Sequence, residues 1–340
     1  MAPPLMLLDT ASLYFRAFYG VKDATTAPDG TPVNAVRGLL DMIARLIRAR
    51  HPGALVACMD AGWRPAFRVA AIGSYKRHRA NPDGSEQMPD ALAVQLPLIV
   101  RVLAAAGVRM AAADGYEADD VIGTLSASSQ IPVEVVTGDR DLFQLVDDAA
   151  GVRVLYVARG VANLEVIDEA AVAERYGIPA AGYAAFAALR GDPSDGLPGV
   201  PGVGEKTAAA LVRSFGTVEA MLAAIDAGHG GFAGTSRPKL VAARDYLEAV
   251  MPVVRVATDA PVLAVGPDTD WFIPHGPTRR RAPAPSPRGA QPPESAGAIA
   301  ASGRLPVRPA DPAALAELDA SLDLGSSLGR MSSALAVRPG

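Results

Sequence analysis

The feature that most constrains this chain is a short apolar run that ends in an acid and then recurs. LMLL (5–8) runs into Asp9, and ALVACM (54–59) runs into Asp60. PVEVVT (132–137) and VRVLYV (152–157) are two further β-rich runs. Helical patterning fills the intervals at 11–20, 34–50, 88–106 and 117–129. Apolar strands alternating with helices predict an α/β fold, a parallel sheet covered by helices on both faces. Ligands of such sheets bind beyond the carboxyl ends of the strands. Asp9, Asp60 and Asp139 all fall there.

From about residue 166 the pattern changes. Helices are expected at 168–176, 180–190, 204–214, 217–227 and 237–249, joined by Gly/Pro-rich turns, and 252–263 reads as extended. The expected domains are therefore 1–165 (catalytic), 166–265 (helical) and a tail, 266–340. Residues 275–310 are dense in Pro, Ala, Arg and Ser and read as a disordered linker to about 310. Leucine spacing over 312–336 predicts two short helices that dock on the body, with a floppy tail as the alternative.

At 340 residues, half of them hydrophobic, the chain can bury a substantial core. Its single cysteine, Cys58, excludes an internal disulfide framework and a cysteine-based zinc site. The four histidines show no ligand spacing. No signal-like start and no membrane-length apolar run is evident, so a cytoplasmic protein with no membrane partner is expected. The tail from 275 holds eight Arg and five Asp/Glu, so the net charge of −4 leaves −7 for residues 1–274. Gathered carboxylates repel one another, and hard oxygen donors select Mg²⁺ or Mn²⁺ to cancel that charge.

The acids sit in compact signatures. In YEADD (116–120) a helix starting near Glu117 places Glu117 and Asp120 on one face with Asp119 beside them. In TGDRD (137–141), Asp139 and Asp141 follow a strand, and Gly138 permits a tight turn. RGDPSDG (190–196) carries Asp192 and Asp195 in a Pro/Gly turn. Helix capping needs one or two acids, and the three within YEADD exceed that need. SYKRHRA (74–80) is the densest basic cluster outside the tail, with Arg64 and Arg68 upstream. Lys76 and Arg79 suit a scissile phosphate, with Tyr75 and Arg77 as DNA contacts. Ser12 and Ser194 lack a base partner in sequence.

GVPGVGEKTA (199–208) has the form of a helix–hairpin–helix phosphate clamp. Gly199, Gly202 and Gly204 allow close backbone approach, the following helix aims N–H groups at an anion, and Lys206 and Thr207 add charge and a hydroxyl. Such a clamp grips the DNA backbone without reading bases.

Together these motifs resemble the bacterial 5′→3′ exonuclease/flap endonuclease family, which also opens many DNA polymerase I chains. The resemblance runs from about 4 to 260 through LLDTASLYFRAFYG, TPVNAVRGLLD, SYKRHR, GYEADDVIGTL, TGDRDLFQLV and RGDPSDGLPGVPGVGEKTA. It implies a PIN-like domain followed by a helix–three-turn–helix domain, and two divalent cations. Asp9, Asp60, Glu117 and Asp119 would serve the first ion, and Asp120, Asp139, Asp141, Asp192 and Asp195 the second. Lys76 and Arg79 map to the family's basic pair, and Arg16 to its helix arginine. Val200 and Val203 carbonyls would hold a K⁺. Two departures stand out: Phe15 where the family often has Tyr, and SDG, ending in Gly196, where SDN is usual. An arch admitting a 5′ strand would lie between about 70 and 100, a short span. The expected protein is a monomeric nuclease acting on DNA with a 5′ end, nick or flap, alongside polymerase I or ligase. Deleting 275–340 is expected to leave activity on a small flap substrate nearly intact. The alternatives are a PIN-type ribonuclease, for which the 190–207 block has no use, and a non-catalytic branched-DNA binder.

Overall fold

The computed structural model describes residues 2–21, 25–232, 234–267 and 295–336. Seven strands form one sheet: β1 (Leu5–Asp9), β2 (Ala54–Cys58), β3 (Arg109–Ala112), β4 (Val133–Thr137), β5 (Val152–Tyr156), β6 (Glu165–Ile167) and β7 (Leu263–Val265), in the order β6-β5-β4-β1-β2-β3-β7. The five inner strands are parallel and the two edge strands antiparallel, so the sheet is mixed rather than parallel throughout. β1 shows why its run is continuously apolar. Leu5 and Leu7 enter the core on one face, Met6 and Leu8 the core on the other, and all four are fully buried.

The helices of the first part are α1 (Thr10–Gly20), α2 (Asn34–Arg50), α3 (Ala66–Ala71), α4 (Asp90–Ala93), α5 (Leu96–Ala106) and α6 (Ala118–Ser128). The helix expected over 88–106 is broken at Val94–Gln95. Gln95 is fully buried there, and its side-chain oxygen accepts from Ala35 and Val36 N–H (2.8 and 3.3 Å). It thereby satisfies donors that the first turn of α2 leaves unpaired. Within the span expected to form an arch, residues 77–79 make a 3-10 turn and Ala80 bridges Glu86.

The second part holds α7 (Glu169–Tyr176), α8 (Tyr183–Arg190), α9 (Glu205–Phe215), α10 (Val218–Asp226), α11 (Ser236–Ala242) and α12 (Arg244–Val254). It shares one continuous core with a face of the sheet. α12 extends to Val254 with Pro252 inside it, so the stretch expected to be extended from 252 begins as helix, and only β7 is strand. β7 returns to the sheet edge beside β3.

The tail departs most from expectation. The linker reading of 275–294 lies outside the described residues. Residues 295–310, expected to be part of that linker, include α13 (Ala296–Ser302), which packs on α6 and β2 with Ile299 fully buried. Leu55 N–H donates to Gly303 O at 2.6 Å. α14 (Pro312–Leu322) packs on α5 and α15 (Gly325–Ala336) on α2. Leu315, Leu318, Leu322, Leu328 and Met331 belong to the core on that face. Among the described residues no single helix is long and apolar enough to cross a membrane. α9 and α10 meet that test only as a pair bent by 74°.

Candidate active site

A pocket of about 410 Å³ opens beyond the carboxyl ends of β1, β2 and β4. Asp9, Asp60, Glu117, Asp119, Asp139, Asp141 and Asp192 line it, with Lys76 and Arg79. Seven of the nine acids read from the sequence therefore meet. Asp9 ends β1 and caps α1, accepting from Ser12 N–H (3.0 Å) and the Thr137 hydroxyl (2.7 Å). Asp60 follows β2 and accepts Ala118 N–H at 2.7 Å, which ties it to the start of α6. Asp139 and Asp141 occupy the turn after β4, where Asp139 accepts the N–H of Asp141 (2.9 Å).

The electrostatics are those of anions crowded out of water. Burial, reinforced by Asp60 and Asp139, pushes the Asp9 carboxyl up to about 7. Burial, reinforced by Glu117 and Glu86, pushes Asp60 up to about 6. Asp119 is raised by burial and by Asp9 and Asp139, and Asp141 by burial and by Asp139, Asp195 and Asp192. Glu117 goes the other way. Burial alone would raise it, but Lys76 and Arg68 hold it below the usual range.

Among the described residues, no three His, Cys, Asp or Glu side chains come close enough together to hold a metal ion. The fit to a divalent cation is one of donor chemistry. The donors are oxygen-only and anionic, and a cation would relieve the mutual repulsion that raises their protonation.

Two expected ligands fall elsewhere. Asp120 is fully buried behind the pocket, where Arg68 grips it with both nitrogens (2.7 and 3.0 Å) and Ala257 N–H donates at 2.9 Å. Its side chain also accepts from Glu117 N–H, completing a capping box at the start of α6. Asp120 is thus a structural acid. Asp195 stands at the margin, paired with Arg79 at 3.1 Å, and burial raises its carboxyl.

The basic block divides likewise. Lys76 has a left-handed backbone (φ 47°), its N–H donates to Asp195 O (2.9 Å) and its ammonium pairs with Glu117. Tyr75, expected to be a DNA contact, is buried and donates its hydroxyl to Glu117 at 2.6 Å, so it positions an acid instead. Arg77 is exposed. Arg16 lines an adjoining surface depression with Tyr19 and Gly20 that shares Ser12 and Phe15 with the acid pocket. The SDG departure has a steric basis. A Cβ on Gly196 (φ +72°) would fall 2.5 Å from Ser74 O, so glycine lets this turn abut the turn at 74–76.

The 199–208 motif forms a Gly-rich turn leading into α9. Gly199 (φ +72°) has no room for a side chain, since a Cβ would meet Arg190 O at 2.5 Å. Gly204 caps α9 without any side-chain hydrogen bond, leaving its first N–H groups facing outward; its φ of −89° is open to other residues. Lys206 and Thr207 line a neighbouring pocket with Ser236 and Lys239. The Lys239 ammonium donates to Gly202 O at 2.7 Å, and Val200 O accepts Val203 N–H at 2.9 Å.

Residues 4–177 match the family "5'-3' exonuclease, N-terminal resolvase-like domain" and residues 178–270 match "5'-3' exonuclease, C-terminal SAM fold". The chain belongs to the 5'-3' exonuclease family. It is 57% identical over 278 residues to a 5'-3' exonuclease of Streptomyces coelicolor, covering 80% of this chain and 91% of that one. A 5'-3' exonuclease of Mycobacterium tuberculosis is 46% identical over 352 residues, covering 100% of both chains. A Mycobacterium tuberculosis DNA polymerase I is 40% identical over 271 residues, covering 78% of this chain but 28% of the polymerase. A zinc-bound T5 5'-exonuclease has the same fold, with a TM-score of 0.60 over 75% of this chain and 90% of that one at 19% identity.

Four site residues of this 5'-3' exonuclease were not singled out by their motifs. Arg68 bridges Glu117 and Asp120 and donates to Val253 O (3.1 Å) at the end of α12. Glu86, Trp63 and Arg140 line the acid pocket. In the sequence Arg68 stands out only as upstream of the basic cluster and Glu86 not at all, and only the fold brings them to the acids. Trp63 carried a weak signal, a large aromatic three residues after Asp60.

Proposed function

We propose that this 5'-3' exonuclease is a metal-dependent 5′ nuclease that hydrolyses DNA phosphodiesters at 5′ ends, nicks and 5′ flaps, leaving 5′-phosphates. The observation that carries this reading is the meeting of seven carboxylates with Lys76 and Arg79 in one pocket. Asp9, Asp60, Glu117 and Asp119 would hold one divalent ion, and Asp139, Asp141 and Asp192 the other, with Asp195 at the margin holding Arg79. Such ions supply Lewis-acid activation of water and charge stabilisation at the phosphorus. Lys76 and Arg79 would neutralise the phosphate, while Tyr75 and Arg68 keep Glu117 in place. The α9 N-terminus with Lys206 and Thr207 would hold duplex backbone and leave the strand end to the pocket. Lys239 already places an ammonium on a hairpin carbonyl, which leaves K⁺ at Val200 and Val203 a secondary expectation. The similarity to DNA polymerase I supports a role in primer removal and repair.

The test is end-labelled 5′-flap, nicked and single-stranded DNA, beside a matched RNA flap, with Mg²⁺, Mn²⁺ or EDTA. Metal-dependent cuts near the flap junction of the DNA are expected. Preferential RNA cutting would favour a ribonuclease, and tight flap binding without cleavage a scaffold.

A further inference from the structure

Three aromatic side chains line the acid pocket: Phe15, Trp63 and Tyr156. Phe15 packs 5.1 Å from the Tyr14 ring, and Tyr156 makes an edge contact with Phe143 at 5.2 Å. Trp63 is half-buried and, among the described residues, has neither a ring partner nor a hydrogen bond. Its backbone is nonetheless fixed on both sides. Ala61 N–H donates to Tyr116 O (3.2 Å), and a Cβ on Gly62 would come within 3.1 Å of the Gly115 carbonyl carbon. Arg64 donates to Tyr75 O (2.6 Å) and Gly73 O (3.0 Å). A large aromatic side chain is thus held by a fixed loop at the lining of a pocket dominated by charged groups. Carboxylates and cations account for a phosphate and its metals, but not for a half-buried indole with no ring partner or hydrogen bond among the described residues. A planar, apolar face with polar edges is the complement it lacks, and a nucleobase has that form.

We propose that Trp63 is the stacking platform for the base of a nucleotide flanking the scissile phosphate. This rests on the nuclease reading above. The contact grips a base without reading its identity, because every base offers a π-face.

The test crosses Trp63→Ala and Trp63→Phe with flap DNA that is intact or abasic on one side or the other of the cleaved bond. Trp63→Ala should lower kcat/KM roughly tenfold on intact DNA, and Trp63→Phe should restore most of it. The wild type should lose a similar factor on one abasic substrate, to which Trp63→Ala is indifferent. Independent, multiplying losses from the variant and from both abasic sites would overturn the proposal. A second readout needs no loss of the ring. Trp63 and Trp271 are the chain's two tryptophans, so a Trp271→Phe protein reports Trp63 emission alone. In EDTA, intact DNA should change that emission and the abasic substrate should not. Emission unmoved by intact DNA would also overturn it. Failure of the wild type to cut intact flap DNA with Mg²⁺ would instead strike the nuclease reading itself.

Discussion

Arg68 carries its charge where water scarcely reaches, between two acids of the α6 first turn and the carbonyl end of α12. Removing one partner of such a group leaves buried charges uncompensated, at about 3–5 kcal/mol. Arg68→Met should lower stability by that order in denaturant unfolding and slow cleavage through a displaced Glu117. Arg68→Lys should recover part of the stability but not the two-nitrogen grip on Asp120. The lining acids predict the opposite response. Asp9 and Asp60 have folded pKa values of about 7 and 6, above the 3.8 of an unperturbed Asp. Groups raised in this way stabilise the fold fully only below the unfolded value, and that contribution is lost as pH rises through the folded one. In EDTA the protein should therefore melt higher at pH 5.5 than at pH 8, by at least about 2 °C. Asp9→Asn should shrink the difference, and Mg²⁺ should raise the melting temperature at pH 8.

At the scale of elements, the strands and motifs differ in how plainly the sequence announces them. β1, β2 and β4 are legible because strands buried on both faces need largely apolar runs, and β5 because its valines recur on a buried face while Arg153 is exposed. β3 (RMAA) lacks β-branched residues, and β6 and β7 are three residues each, so none makes a run. Helical spacing correctly puts Glu117 and Asp120 together, but spacing does not say which way a face looks. That face meets Arg68, and Asp119 meets the pocket. Tyr75 belongs to a basic block by sequence and to the core by packing. The turn before α9 was legible because Gly199 and Gly202 occupy backbone conformations that favour glycine. Lys206→Ala with Thr207→Ala should weaken binding to flapped duplex more than it slows single-turnover cleavage of bound DNA. It should also reduce the salt dependence of binding by roughly one ion. The reverse pattern would reject the clamp.

For the whole molecule, the tail changes the picture from two parts plus an appendage to one body. α13 packs on α6 and β2 in the core on one face of the sheet, α14 and α15 pack on α5 and α2 in the core on the other, and none of them lines the acid pocket. Arg330 pairs with Asp41 at 2.7 Å, and Arg48 donates to Arg330 O at 2.6 Å. The sequence hid this because leucine spacing shows a helix without naming its partner. Removing residues from 295 onward should expose apolar α2 and α5 and lower the melting temperature sharply. Leu318→Ala or Met331→Ala should each cost about 2–5 kcal/mol in denaturant unfolding, with cleavage by the folded fraction unchanged. A truncated chain as stable as the full one would mean that the tail packs without stabilising. The central claim is that the gathered carboxylates act as one metal-dependent cleavage site. Its most direct measurement is single-turnover cleavage of a 5′-flap DNA by Asp139→Asn across a Mg²⁺ titration, beside its affinity for the same DNA. The account predicts cleavage abolished at every Mg²⁺ concentration and binding within a few fold of wild type. Full activity at ordinary Mg²⁺ would contradict it.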